Sequence, residues 1–160
     1  MTTGAGAGEA VGPIFNHVGH CVADTGRARR FYEEVLGFRY WWSFEPVPDD
    51  PAAKVLRIAP PMGLAATYLI HGTVVLELLE YREPAAQRAA VARAMNDRGL
   101  THLSVSVPDL SAALDRVVEC GGERMEDTET DAVAFVRDPD GQLLELSTMA
   151  WRDYLPPLPE

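Results

Sequence analysis

Two stretches of the chain read alike: residues 15–24, FNHVGHCVAD, and residues 101–109, THLSVSVPD. Each has strand character, and each runs into an aspartate suited to cap a helix, Asp24 or Asp109. His17 and His102 both lie seven residues before that aspartate. The helices that follow, TGRARRFYEEVLG and SAALDRVVEC, stop at Gly37 and at Gly121-Gly122. Beyond the first helix, FRYWWSF (38–44), AATYLIHG and TVVLELLEY read as strands, the last two joined tightly at His71-Gly72. Beyond the second, ERMED, DAVAFVRD and QLLELSTM read as strands, with Asp140-Gly141 suited to the turn between the last two. Each half closes on Leu-Glu-Leu, at 76–78 and 144–146. The order β-α-β-β-β therefore occurs twice, an internal repeat of long period. It predicts an α+β fold built from two βαβββ modules.

The expected layout is a disordered tail over 1–13 and a single domain over 14–148. That domain divides into module one (14–81), a linker (82–99, helical after Pro84) and module two (100–148). An irregular, Pro-rich tail follows over 149–160. Residues 45–64 are broken by five prolines, with room for a short helix around 51–58.

The 160 residues carry a formal net charge of −10, with 47% hydrophobic and 24% charged residues, the balance of a soluble globular chain. The acidity argues against nucleic-acid and anionic-membrane partners, which need a basic footprint. It does not exclude an anionic small substrate, because an arginine or a metal reverses the field locally. No apolar run approaches the roughly 18 to 20 residues that span a bilayer, and MTTGAGAGEAVG lacks the features of a secretory leader. Cys21 and Cys120 form no paired motif and read as reduced thiols, so a cytoplasmic protein is expected.

His17 and His20 are three apart on a strand, so their rings face opposite sides. Aligning the halves sets His17 against His102 but His20 against Val105. His17 thus belongs to the repeated constellation, and His20 reads as structural, facing a helix. Glu77 and Glu145 are charges between leucines, costly to bury unless paired or metal-bound. A lone glutamate in a strand also reads as an outer-face residue. Two glutamates matched to two histidines read better as a metal site, converging if each half curls into a sheet wall. Imidazole with carboxylate suits Zn, Ni, Co, Mn or Fe(II).

The segments HVGHCVADTGRARRFYEEVLGF, VVLELLEY, GLTHLSVSVPDLSAALDRVVECGG and AFVRDPDGQLLEL resemble the vicinal oxygen chelate superfamily. That superfamily includes lactoylglutathione lyase, methylmalonyl-CoA epimerase, extradiol dioxygenases and the bleomycin and fosfomycin resistance proteins. The resemblance spans roughly residues 15 to 148. It implies two modules pairing into an incomplete barrel around a cleft that holds one divalent metal ion. By position, the implied ligands are His17, Glu77, His102 and Glu145. Extradiol dioxygenases usually lack a carboxylate at the Glu77 position, so the four-ligand set resembles the lyases and epimerases more. The implied chemistry is proton transfer α to a carbonyl in a substrate with vicinal oxygens, through an enediolate or enolate. Glu145 is the first candidate base, Glu77 the second and Glu45 a distant third. The alternatives are an Fe(II) extradiol-type dioxygenase and a non-catalytic small-molecule binding or resistance protein. A homodimer is expected, with each metal site either inside one chain or between two.

Other candidate substrate contacts are Arg57, Trp42, Tyr68 and Ser104. Arg57 suits a carboxylate, thioester or phosphate clamp but reads more readily as a surface residue on a short helix. Trp41 and Trp42 are adjacent, so alternation predicts that only one of them faces the cleft. Arg27, Arg29 and Arg30 read as a solvated face, and His71 as an exposed turn residue.

Overall fold

The computed structural model describes residues 13–45, 55–59, 63–86, 95–96, 98–153 and 155–156. The first module runs β1 (Val18–Val22), α1 (Thr25–Glu34), β2 (Arg39–Phe44), β3 (Gly63–His71) and β4 (Val74–Glu83). The second runs β5 (His102–Ser106), α2 (Leu110–Glu119), β6 (Glu123–Arg124), β7 (Val133–Arg137) and β8 (Leu143–Ser147). Each module is an open four-stranded sheet, in the orders β1-β4-β3-β2 and β5-β8-β7-β6. The first and last strands of each module pair in parallel, and the remaining neighbours are antiparallel. This is the expected α+β arrangement of two βαβββ modules.

Asp24 caps α1 by accepting from the Arg27 N–H at 2.7 Å, and Asp109 caps α2 by accepting from Ala112 N–H at 2.9 Å. Each cap satisfies an N–H that the helix start leaves unpaired. Gly37 and Gly121 follow the helices at φ 70° and 82°, the left-handed backbone that ends a helix cheaply only at glycine. Two boundaries differ from expectation. β4 continues through Glu83, two residues into the expected linker. The stretch expected as one strand over ERMED is a two-residue strand followed by a 3-10 turn at Glu126–Thr128, where the Thr128 hydroxyl bonds Met125 O. Most of the expected linker helix, and most of the expected 51–58 helix, lie outside the described residues.

One apolar core runs through both modules. Phe31, Tyr32, Leu69, Leu76 and Leu78 from the first share it with Val117, Val136, Leu144 and Leu146 from the second. The modules therefore meet on their helix-bearing sides. Gly122 marks the closest approach: a Cβ there would lie 2.6 Å from both Arg137 O and a ring carbon of Phe31. Gly122→Ala is expected to lower stability by about 1–3 kcal/mol, the usual cost of overpacking. A urea melt checks this, and an unchanged midpoint would contradict the contact.

Candidate metal centre

Strand register explains how a charged residue fits between leucines. Across the first sheet, Gly19, Glu77, Tyr68 and Trp42 align in one row. Leu76 and Leu78, one residue to either side of Glu77, point into the core instead. His17 lies two residues before Gly19 and so shares the Glu77 face, with Nε2 3.0 Å from Glu77 Oε2. The second sheet repeats the row with Ser104, Glu145 and Phe135. His102 lies two residues before Ser104, with Nε2 3.7 Å from Glu145 Oε2. Both glutamate side chains are 13% exposed, half-sheltered rather than free on a surface.

Two donors each bound at about 2.1 Å to one tetrahedral or octahedral ion lie about 3.0–3.4 Å apart. Both His–Glu pairs are close to that spacing, and their donor types suit a divalent metal. The two pairs do not combine within the chain. Among the described residues, no group of three or more His, Cys, Asp or Glu side chains is gathered to hold a metal. Within the chain the four side chains stand as two separate pairs, His17 with Glu77 and His102 with Glu145. The cause is the way the modules pack: they join through their helix-bearing sides, and His17 and Glu77 face the other way.

His20 is on the joining side. Its Nε2 lies 2.8 Å from Asp138 Oδ2, which also accepts from the Tyr32 hydroxyl at 3.0 Å. Asp138 Oδ1 accepts from the N–H groups of Asp140 and Gln142 at 2.9 and 2.8 Å. Burial disfavours the Asp138 carboxylate, but the His20 bond and charge, the Gln142 N–H and Tyr32 outweigh it and hold it below the usual aspartate range. Burial, then Asp138, pushes the Tyr32 phenol well above its ordinary value. This cluster ties module one to the turn that leads into β8 and Glu145. Arg27, expected on a solvated face, joins it through Asp140 at 2.9 Å. Sequence reasoning found His20 but missed its partners, although the Tyr32 and Asp138 motifs were both visible.

The Tyr68 hydroxyl, expected to meet substrate, donates to Glu77 Oε1. Burial, then the Glu77 hydrogen bond and charge, push that phenol up to about 12, so it remains a donor at neutral pH. The Tyr68 ring carries an aromatic group: Trp42 stacks on it at 5.7 Å, and Phe44 on Trp42 at 5.1 Å. Trp41 meets Tyr68 edge-on at 6.4 Å. Alternation predicted one tryptophan on this side. The register shift between Tyr40 and Trp42 is a bulge, which breaks alternation and brings both rings against Tyr68. Trp41 and Trp42 are 60% and 54% exposed.

Ser104 is exposed beside Glu145 in its row. Arg57 is exposed at φ 59° after a short helical turn, with no hydrogen bond or ion pair to either half-site. Glu45 is engaged by Arg82 at 3.0 Å. His71 is exposed, its ring against Phe38 at 5.4 Å. Cys21 and Cys120 are unpaired. Among the described residues, no helix is long and apolar enough to cross a membrane.

The family model of the glyoxalase/bleomycin resistance protein/dioxygenase superfamily matches residues 14–146. The chain belongs to that superfamily. It is 28% identical over 144 residues to a lactoylglutathione lyase of Pseudomonas putida, covering 83% of each chain. A glyoxalase family protein from Bacillus cereus superposes with a TM-score of 0.71 at 16% identity, covering 88% of this chain and 97% of that one. The fosfomycin resistance protein FosX of Listeria monocytogenes, solved in complex with Mn(II) and sulfate, superposes with a TM-score of 0.57 at 12% identity. That superposition covers 89% of this chain and 97% of the FosX chain. The superfamily match and the likeness to a lactoylglutathione lyase support a glyoxalase-like lyase or isomerase.

Proposed function

We propose that this protein is a divalent-metal-dependent lyase or isomerase that moves a proton α to a carbonyl in a small substrate with vicinal oxygens. One observation carries the reading. Two His–Glu pairs stand at repeat-equivalent register positions, His17 with Glu77 at 3.0 Å and His102 with Glu145 at 3.7 Å, the first at metal-ligand spacing and the second slightly wider. The likeness to a lactoylglutathione lyase and the Mn(II) held by FosX support the same direction.

Each pair supplies two ligands, so one complete site needs both halves. Because the pairs do not meet within the chain, we infer a homodimer in which His17 and Glu77 of one protomer face His102 and Glu145 of its partner. His17, Glu77, His102 and Glu145 would hold the ion, which would supply Lewis-acid stabilisation of the enediolate or enolate charge. Glu145 would take the α-proton and return it at the neighbouring position, with Glu77 serving as a ligand. The exposed Trp41 and Trp42 rings beside Tyr68 exclude water from the proton path and bind the apolar part of the substrate. The same aromatic patch favours a second reading, a binding protein that sequesters a flat small molecule.

Mixing two variants tests the arrangement. His17→Ala and His102→Ala chains are each expected to retain little Ni(II) or Co(II) after desalting. Subunit exchange between them makes half of the dimers mixed, each with one intact site, so an equal mixture is expected to regain about one ion per four chains. A mixture no better than its components would rule out the shared site.

A further inference from the structure

The two half-sites share a His–Glu pair and a facing aromatic ring, and they differ in what flanks the glutamate: Gly19 and Tyr68 in the first sheet, Ser104 and Phe135 in the second. Tyr68 lies opposite Glu77 in the first sheet, and Phe135 lies opposite Glu145 in the second. Each ring meets its module's histidine edge-on, Tyr68 with His17 at 6.1 Å and Phe135 with His102 at 5.4 Å. Only the tyrosine carries a hydroxyl. Glu77 is consequently held at both oxygens, Oε1 by the Tyr68 hydroxyl and Oε2 by His17 at 3.0 Å. Glu145 is held at neither. His102 Nε2 lies 3.7 Å from its Oε2, beyond hydrogen-bond distance, and among the described residues no side-chain hydrogen bond reaches it.

From this asymmetry we propose that Tyr68 is a positioning residue that clamps Glu77 as a fixed metal ligand. The phenylalanine at the equivalent place leaves Glu145 free to swing between metal and substrate. The proposal rests on the metal-site reading above and assigns the two carboxylates different tasks within it. A ligand held by a second hydrogen bond keeps its orientation and binds tightly, and outer partners of this kind alter metal affinity by about 10- to 100-fold. A ligand without such a partner gives up affinity but gains the freedom to leave the ion and carry a proton.

Cobalt titration of the full chain tests this without any substrate. Co(II) is followed by its visible d–d absorption, and its affinity is measured by competition with a chromophoric chelator. Tyr68→Phe keeps the ring and removes only the clamp. It is expected to weaken Co(II) binding about 10- to 100-fold and to change the d–d spectrum, with the thermal midpoint nearly unchanged. Phe135→Tyr moves a clamp to Glu145 and is expected to bind Co(II) at least as tightly as wild type. The double variant Tyr68→Phe/Phe135→Tyr is expected to recover most of the lost affinity. A tyrosine important only for packing its own sheet would not be rescued from the other module. Equal affinity in wild type and Tyr68→Phe, or no recovery in the double variant, would overturn the clamp and leave the metal site standing. A wild type that binds no Co(II) would overturn both.

Discussion

Glu145→Gln is expected to slow α-proton exchange by roughly 10²- to 10⁴-fold, the range lost when a positioned general base is removed, while most of the metal is retained. The carboxamide keeps the shape and one oxygen donor of the side chain but accepts no proton. Glu145 is chosen over Glu77 because Tyr68 hydrogen-bonds Glu77 and His17 lies 3.0 Å from it, whereas His102 stays 3.7 Å from Glu145. Exchange into D2O, followed by NMR on S-lactoylglutathione, an acyl-CoA thioester and a 2-oxo acid, measures the effect. An unchanged exchange rate in Glu145→Gln would remove it as the base. A loss of metal equal to that in Glu77→Ala would instead make it an ordinary ligand.

Asp138→Asn is expected to cost the fold about 3 kcal/mol, the scale of breaking a buried ion pair by removing one partner. The side chain of Asp138 is wholly buried and accepts four hydrogen bonds, two from backbone N–H groups and two from His20 and Tyr32. An amide keeps the backbone bonds but presents N–H to groups that are themselves donors. The pH dependence has a definite sign. The folded carboxyl titrates below its unfolded value, so its stabilisation is present above about pH 4. That stabilisation is lost as pH falls through the folded value. Tyr32 is the converse case: its folded value is raised, so its contribution is present below about pH 10 and lost above it. Urea melts of the wild type are expected to show midpoints falling at both ends of this window. Asp138→Asn is expected to be less stable near neutrality and to show a shallower acid limb, the remainder coming from Glu34, Glu80 and Glu129, whose carboxyls are also held low. A wild-type acid limb preserved in the variant would contradict the assignment.

The repeat was legible because it is written in letters. His17 and His102 precede their capping aspartates at the same interval, and both Leu-Glu-Leu triplets follow a glycine turn. Strand alternation then places His17 with Glu77 and His20 on the far side, which the structure bears out. Alternation failed at Trp41-Trp42, because a bulge depends on hydrogen-bond register with β3 and no single-strand pattern reports it. The Tyr68–Glu77 and Phe135–Glu145 pairings were hidden for the same reason: cross-strand partners appear only when the hairpin register is known. The failure of the four ligands to gather in one chain has a different source. It depends on which faces of the modules pack together, and Gly122 against Phe31 and Asp138 against His20 decide that through contacts about 90 to 120 residues apart. The pairing of each histidine with its module's glutamate is local and follows from the repeat. The relative placement of the two pairs is a property of the packed whole.

Metal content tests the central claim most directly. Protein purified without a metal-affinity tag, loaded with Zn(II), Ni(II), Co(II) or Mn(II) and desalted, is measured by elemental analysis beside Glu77→Ala. The account predicts about one ion per wild-type chain for at least one of the four metals, and a large reduction in the variant. A folded wild type that retains none of the four would contradict the metal site and the proton-transfer chemistry built on it.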